Sequence, residues 1–167
     1  MKETEHTFLT LINQHKAIIH KISKMYMNDA EEQRDLFQEI VLQLWKAYPS
    51  FKGNSKFTTW MYRVCLNTAI IYFKKDIRKV DRIPLDGNID IIDANENEGK
   101  EEKIAYLYAA VRELNAIEKA LIFLFLENQS HRSIAENLGI TEVNARVKLK
   151  RTKEKLQFII KKNGYEF

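Results

Sequence analysis

Residues 130–149 read Ser-His-Arg-Ser-Ile-Ala-Glu-Asn-Leu-Gly-Ile-Thr-Glu-Val-Asn-Ala-Arg-Val-Lys-Leu, and the fold turns on this stretch. Ser130 can cap one short helix and Thr141 a second, each offering a side-chain oxygen to an otherwise unpaired first-turn amide. Between them, Gly139 permits the positive φ that a tight inter-helical turn requires. Ala135 is small where the second helix must cross closely. Ile134, Leu138 and Ile140 would fill the wedge, and Val147 would anchor the buried side of the second helix. The result is a helix-turn-helix. Its second helix carries Arg146, Lys148, Lys150, Arg151, Lys153 and Lys155 within ten residues. A purely structural helical hairpin has the same skeleton, so it is the basic run that points to DNA.

In that reading Thr141, Glu142, Asn144 and Arg146 enter the major groove, where Asn favours adenine and Arg favours guanine. Lys148 and Arg151 hold phosphates, which fixes register without reading sequence, and Arg132 on the first helix joins the candidate set. Glu142 can also serve simply as an acid at a helix N-terminus.

Upstream, apolar residues recur at helical spacing: Phe8, Leu11, Ile12, Ile18, Ile19, Ile22, Met25 and Tyr26 in residues 5–26. Asp29 and Glu32 form a capping pair that opens a helix with the stripe Leu36, Phe37, Ile40, Val41, Leu44 and Trp45. Pro49 and Gly53 break the pattern. Asn54 or Ser55 can cap a third helix to about Asp76, with Phe57, Met61, Val64, Cys65 or Leu66, Ile70 and Phe73 inward. Residues 81–102, with Pro84, Gly87, Gly99 and many acids, are expected to be a flexible linker. A helix from about Glu101 to Leu114 follows, with Ile104, Leu107, Tyr108 and Val111 on one face. Asn115 and Glu118 cap the next, whose core candidates are Leu121, Ile122, Leu124 and Phe125. The expected fold is all-α: two small helical domains, 1–80 and 103–167, joined by the acidic linker 81–102.

Composition agrees. The 167 residues are 45% hydrophobic and 30% charged, with only five Gly and two Pro, which suits long helices and a buried core. A single cysteine excludes an internal disulfide, and no histidine pair has ligand spacing, so no metal or other cofactor is expected. The acidic, non-apolar N-terminus is unlike a secretory signal, no apolar run approaches a membrane span, and a cytoplasmic location is expected. The net charge of +4 is unevenly spread: −2 over 1–45, +7 over 46–80, −6 over 81–102, zero over 103–130 and +5 over 131–167. Two basic blocks flanking an acidic stretch suit a polyanion touched at two places.

The stretches from Asp35 to Trp45 (Asp-Leu-Phe-Gln-Glu-Ile-Val-Leu-Gln-Leu-Trp) and from Phe51 to Asn67 (Phe-Lys-Gly-Asn-Ser-Lys-Phe-Thr-Thr-Trp-Met-Tyr-Arg-Val-Cys-Leu-Asn) resemble the second conserved region of bacterial sigma factors of the small extracytoplasmic-function class. Residues 117–156 resemble their fourth region. The resemblance implies a dissociable initiation subunit of RNA polymerase, with a sigma region 2 bundle that recognises and melts the −10 element and a sigma region 4 helix-turn-helix that binds the −35 duplex. Nucleotide chemistry would belong to the polymerase core, so no enzymatic activity and no small-molecule substrate are expected. By family position, Asp35, Gln38 and Glu39 would bind the clamp-helix coiled coil of the largest core subunit, and the flap would be a second core contact. Phe51, Lys52, Gly53, Asn54 and Ser55 would capture a flipped base. Lys56, Trp60, Arg63 and Asn67 would line single-stranded DNA, with Trp60 balanced between that role and the core. The class also implies an anti-sigma factor, often membrane-anchored.

The sequence departs from the family at Ala145, where a larger β-branched residue is usual and Val143 could compensate, and at His131 and Ser133. Two other readings fit parts of the chain: a stand-alone dimeric helix-turn-helix regulator, and an interaction protein that has lost DNA binding.

Overall fold

The computed structural model describes residues 2–80 and 98–164. These form seven α-helices and one 3-10 turn, with no strand among the described residues: α1 Lys2–Tyr26, α2 Ala30–Ala47, the turn Tyr48–Ser50, α3 Phe57–Val80, α4 Glu98–Arg112, α5 Ala116–Leu126, α6 His131–Leu138 and α7 Glu142–Lys162. The all-α expectation holds. α4 begins inside the stretch expected to be linker, and α3 runs past Asp76. Residues 81–97 of the expected linker lie outside the described residues.

The caps follow sequence chemistry. The Glu32 amide donates to Asp29 Oδ1 at 2.7 Å. Asn115 and Glu118 form the full reciprocal box, each side chain accepting the other's backbone N–H at 2.9 Å. Ser130 and Thr141 accept from the amides of Ser133 and Asn144, both at 3.1 Å. The third helix differs. Lys56 precedes it, its carbonyl taking the Trp60 amide at 3.2 Å, while the Ser55 hydroxyl donates to that same carbonyl.

α1, α2 and α3 pack as a bundle around Ile19, Ile22, Leu36, Ile40, Leu44, Met61, Cys65 and Ala69. α4 to α7 form the second part, around Val111, Leu124, Ile134, Ala145 and Leu149. Three residues expected in the apolar stripes of α2, α4 and α5 are exposed instead. Trp45 covers Phe8, ring centroids 5.0 Å apart, from the rim. Phe125 lies under the Lys153 ammonium, 3.7 Å from the ring centroid. Ile104 faces outward on α4.

The two parts are packed on each other. α5, Ala-Ile-Glu-Lys-Ala-Leu-Ile-Phe-Leu-Phe-Leu, is apolar around most of its circumference, and a helix of that kind must be covered on more than one side. α4, α6 and α7 cover one side, and α1 and α3 cover the other. Along the second side, Ala116, Lys119, Phe123 and, just past the helix, Glu127 fall at i, i+3, i+7 and i+11. The Tyr26 hydroxyl donates to the Ala116 carbonyl at 2.7 Å. Phe123 meets the edge of Tyr62. Glu127 takes Lys21 at 3.0 Å and the Tyr62 hydroxyl at 3.2 Å. Buried Lys119 places its ammonium 3.9 Å from the Phe73 centroid and 5.4 Å from that of Tyr26, both cation–π contacts.

Burial, with the Arg112 charge second, lowers the Lys119 pKa from 10.5 to about 8. Burial, reinforced by Glu127, raises that of Tyr62 to about 12, and burial raises that of Tyr26. Below about pH 8 the lysine is charged in both folded and unfolded chains, and its burial opposes folding in full. Between about 8 and 10.5 the folded chain releases a proton that the unfolded chain keeps, so stability rises with pH. The tyrosines reverse the sign above about 10, where only the unfolded chain ionises. Thermal melts should therefore show a midpoint that climbs from neutral pH, peaks near pH 10 and then falls. Lys119→Met should flatten the climbing limb and spare the falling one.

Candidate nucleic-acid interface

The helix-turn-helix is built as its sequence requires. Gly139 ends α6 at φ 67°, ψ 35°, with its amide donating to the Ala135 carbonyl. α7 buries Ala145, Leu149, Thr152, Leu156 and Ile159. That register corrects two expectations. Val147 does not anchor the buried side but is 41% exposed, and Val143, at 71% exposed, does not compensate for Ala145. Ala145 is itself fully buried, so this contact is made with the small residue. The outward face carries Val143, Arg146, Val147, Lys150 and Arg151, with Thr141, Glu142, Asn144 and Lys148 also exposed on its flanks. The sequence pattern missed Val143 and Val147 as surface candidates. The 3.6-residue period anchored on Ala145, Leu149 and Thr152 would have found them. Arg146 pairs with Glu142 at 3.3 Å and Arg132 with Glu136 at 3.4 Å. Both pairs are exposed i,i+4 bridges of small worth, which leaves the guanidiniums available to an anion.

The second candidate surface lies where the 3-10 turn leads into α3. Lys52, Gly53, Asn54, Ser55 and Lys56 are all exposed, with Gly53 at φ 74°. They rim a floor of half-buried aromatic rings. Phe51 lies 5.2 Å from Trp60, 5.8 Å from Phe57 and 6.5 Å from Tyr48, and Trp60 lies 5.5 Å from Phe57. Tyr48 and Phe57 thus join Phe51 and Trp60, a role that spacing alone did not reveal because the rings come from both ends of the loop. Trp60 is neither wholly core nor wholly surface. It is half-buried, packed against Phe51, Phe57 and Tyr48.

Arg63 and Asn67 continue along the exposed side of α3, and Arg63 donates to the Glu136 carbonyl of α6 at 3.0 Å. Arg63 and Arg132, candidates for separate DNA elements, therefore meet at one residue.

On α2, Asp35 and Gln38 are exposed, and Glu39 is half-buried, accepting from Gln43 at 2.9 Å. Exposed Leu42 falls on the same face, two helical turns from Asp35. Among the described residues no cluster of His, Cys, Asp or Glu could hold a metal ion, and no helix is long and apolar enough to cross a membrane.

The molecule is thus a two-part helical protein with a helix-turn-helix in its second part. Residues 11–79 match Sigma-70 region 2 and residues 104–156 match Sigma-70 region 4. The chain belongs to the sigma-70 family, in its extracytoplasmic-function class. It is 29% identical over 128 residues to the RNA polymerase sigma-H factor of Pseudomonas aeruginosa, covering 77% of this chain and 59% of that one. It is 24% identical over 146 residues to the ECF RNA polymerase sigma factor SigX of Bacillus subtilis, covering 83% and 75%. It thus spans little more than half of the Pseudomonas protein. Among solved structures, it shares a fold with the sigma factor RpoE of Bartonella quintana in complex with the anti-sigma factor NepR (TM-score 0.68, 17% identity, 96% of this chain and 98% of that one). It also shares a fold with CnrH in complex with the cytosolic domain of CnrY (TM-score 0.66, 14% identity, 94% and 89%).

The left-handed turn at Gly139 sets the angle of α7 against α6. No atom lies within 4 Å of a Cβ built there, so a substitution is felt through the backbone alone. Gly139→Ala should lower unfolding free energy by about 1 kcal/mol, and Gly139→Asn by less, since Asn tolerates this region. Urea midpoints of the three proteins check the order.

Proposed function

We propose that this chain is an alternative sigma factor that binds core RNA polymerase and directs promoter-specific initiation. The carrying observation is the combination, in one chain of the sigma-70 family, of a polar loop over an aromatic floor and a helix-turn-helix that turns a basic helix outward. Phe51, Lys52, Gly53, Asn54 and Ser55, with Lys56, Trp60, Arg63 and Asn67, recognise and melt the −10 element. An unstacked base costs a few kcal/mol to extract, and the aromatic floor and polar rim supply stacking and edge hydrogen bonds in return. Arg132, Thr141, Glu142, Asn144, Arg146, Lys148 and Arg151 grip the −35 duplex. Asp35, Gln38 and Glu39, with Leu42 among them, present an acidic and amide face with an apolar centre to the basic clamp helices of the core, and the flap is the second core contact. The working division is 1–80 for core and −10, 81–102 as tether and 103–167 for −35.

The chain is not itself an enzyme in this reading. The core carries the nucleotide chemistry, the cytoplasm is the site of action, and an anti-sigma factor, membrane-anchored in many of the class, holds it inactive. The two structural neighbours, both solved with anti-sigma partners, support that last assignment.

Geometry adds a condition. The −10 and −35 elements lie about 25 base pairs apart, roughly 85 Å at about 3.4 Å per pair. A compact chain of this length has a radius of gyration of about 15 Å. The closed arrangement cannot reach both, so the seam between the parts opens in the promoter complex. Opening also frees Arg63 from the Glu136 carbonyl.

Run-off transcription with purified core polymerase tests the function. The expected result is a specific start site that appears only when both proteins are present. Arg146→Ala with Lys148→Ala should cut output at a −35-dependent promoter by about ten-fold or more, given about 1–3 kcal/mol per bidentate base contact, with core binding nearly unchanged. Tight binding to a palindromic duplex without polymerase, and no start site, would instead identify a stand-alone regulator.

A further inference from the structure

The outward face of α7 is not purely polar. Val143 is the second residue of the helix, and at 71% exposed it is the most open large hydrophobic residue among those described. Val147, one turn further, is 41% exposed. With buried Ala145, Leu149 and Thr152 on the opposite side, the helical period places both valines along the centre of the outward face. They are framed by Arg146, Lys150 and Arg151, and α7 holds eight basic residues against two acidic ones. An apolar pair at the tip of a basic helix is matched to an occupant that is anionic at its edges and apolar within. The major groove of duplex DNA meets that description, because phosphates line its rims and the thymine 5-methyl is the apolar group on its floor.

We infer that Val143 and Val147 are specificity-determining residues that read thymine methyl groups in the upstream promoter element, Val143 making the principal contact. The inference rests on the proposed −35 role of the helix-turn-helix and adds what is read there. In a helix-turn-helix the N-terminal residues of the second helix reach base edges, which puts Val143 deepest. One helical turn is about 5.4 Å, or one to two base-pair steps at about 3.4 Å each, so Val147 meets a neighbouring or next-neighbouring pair. Arg146 and Asn144 supply hydrogen-bonded readout beside the valines. The upstream element is therefore expected to hold at least one thymine whose methyl group, and not only its hydrogen-bonding edge, contributes to affinity.

The test uses the full chain assembled with core polymerase. A promoter fragment from a start site mapped after overexpression is randomised over a short upstream window, and the bound fragments are sequenced. Each enriched thymine is then replaced by deoxyuridine, which removes only the methyl. Burial of one methyl-sized group is worth about 0.8 kcal/mol, about four-fold in affinity. Wild type should lose about four-fold at one thymine. Val143→Ala should bind the thymine fragment about as weakly as wild type binds the deoxyuridine one, and should no longer distinguish the two. Val147→Ala should blunt discrimination at a pair one or two steps away.

An enriched window without thymine, wild-type indifference to every deoxyuridine replacement, or full discrimination retained by Val143→Ala would overturn the inference while leaving the −35 role standing. Failure of wild type to enrich any upstream sequence, or enrichment unchanged in Arg146→Ala, would remove the −35 reading and this inference with it. Because Val143 is so exposed, its truncation leaves the fold intact, and circular dichroism of the variant checks that.

Discussion

An eleven-residue helix that is apolar on both sides cannot sit at the surface of either half, and the arrangement of this protein follows from that constraint. Phe123 and Leu124, adjacent in α5, are both buried, and Phe123 packs on Tyr62 of the first half. Covering only one side would leave a row of methyl and aromatic groups in water, each costing about 1.5–3 kcal/mol for a large side chain. α1 and α3 remove that cost by closing over α5, and in doing so bring two candidate DNA surfaces onto one body.

Two polar anchors across the seam satisfy helix ends. Arg63 of α3 donates to the Glu136 carbonyl in the last turn of α6, and Arg112 of α4 donates to the Lys24 carbonyl in the last turn of α1, each at 3.0 Å. Each half thus supplies a cation to the other half's C-terminal carbonyls, which lack intrahelical partners. Such bonds contribute about 1.5–3 kcal/mol apiece at most. Against them stands the burial of the Lys119 ammonium, compensated in part by two aromatic faces. Strong apolar covering, modest polar anchors and one costly charge make a contact that persists in the isolated chain and can be exchanged for a large partner surface. The same Arg63 serves the seam when closed and, in the proposed function, single-stranded DNA when open.

Much of this was legible in the sequence. The caps at Asp29, Asn115, Ser130 and Thr141 announced themselves because capping is local chemistry, and Gly139 did so because few residues tolerate its φ. The core stripes of α1 and α2 followed from periodicity. The failures had other physical sources. Val147 lies outside because the register of α7 is set by Ala145, whose smallness hides it from a search for large apolar residues. Apolarity alone does not separate core from rim: Trp45 covers Phe8 from the edge of the bundle, and Phe125 lies exposed under the Lys153 ammonium. The aromatic floor of Tyr48, Phe51, Phe57 and Trp60 depends on a loop bringing separate segments together, which no spacing rule encodes. The closed seam left one trace, the nearly unbroken apolar run of α5, which is too apolar for a helix with one buried face.

In the proposed function the chain passes from the closed body to an extended pair of promoter grips. Donor and acceptor dyes at exposed positions on α1 and α7, introduced through Gln14→Cys and Gln157→Cys, report it directly. Native Cys65 is buried with its thiol pKa raised and stays unlabelled. Energy transfer should be high in the free chain. On forming a transcribing complex with core polymerase and promoter DNA, the distance should lengthen by several tens of ångströms. An unchanged distance in a complex that makes transcript would show that the chain stays closed on the promoter.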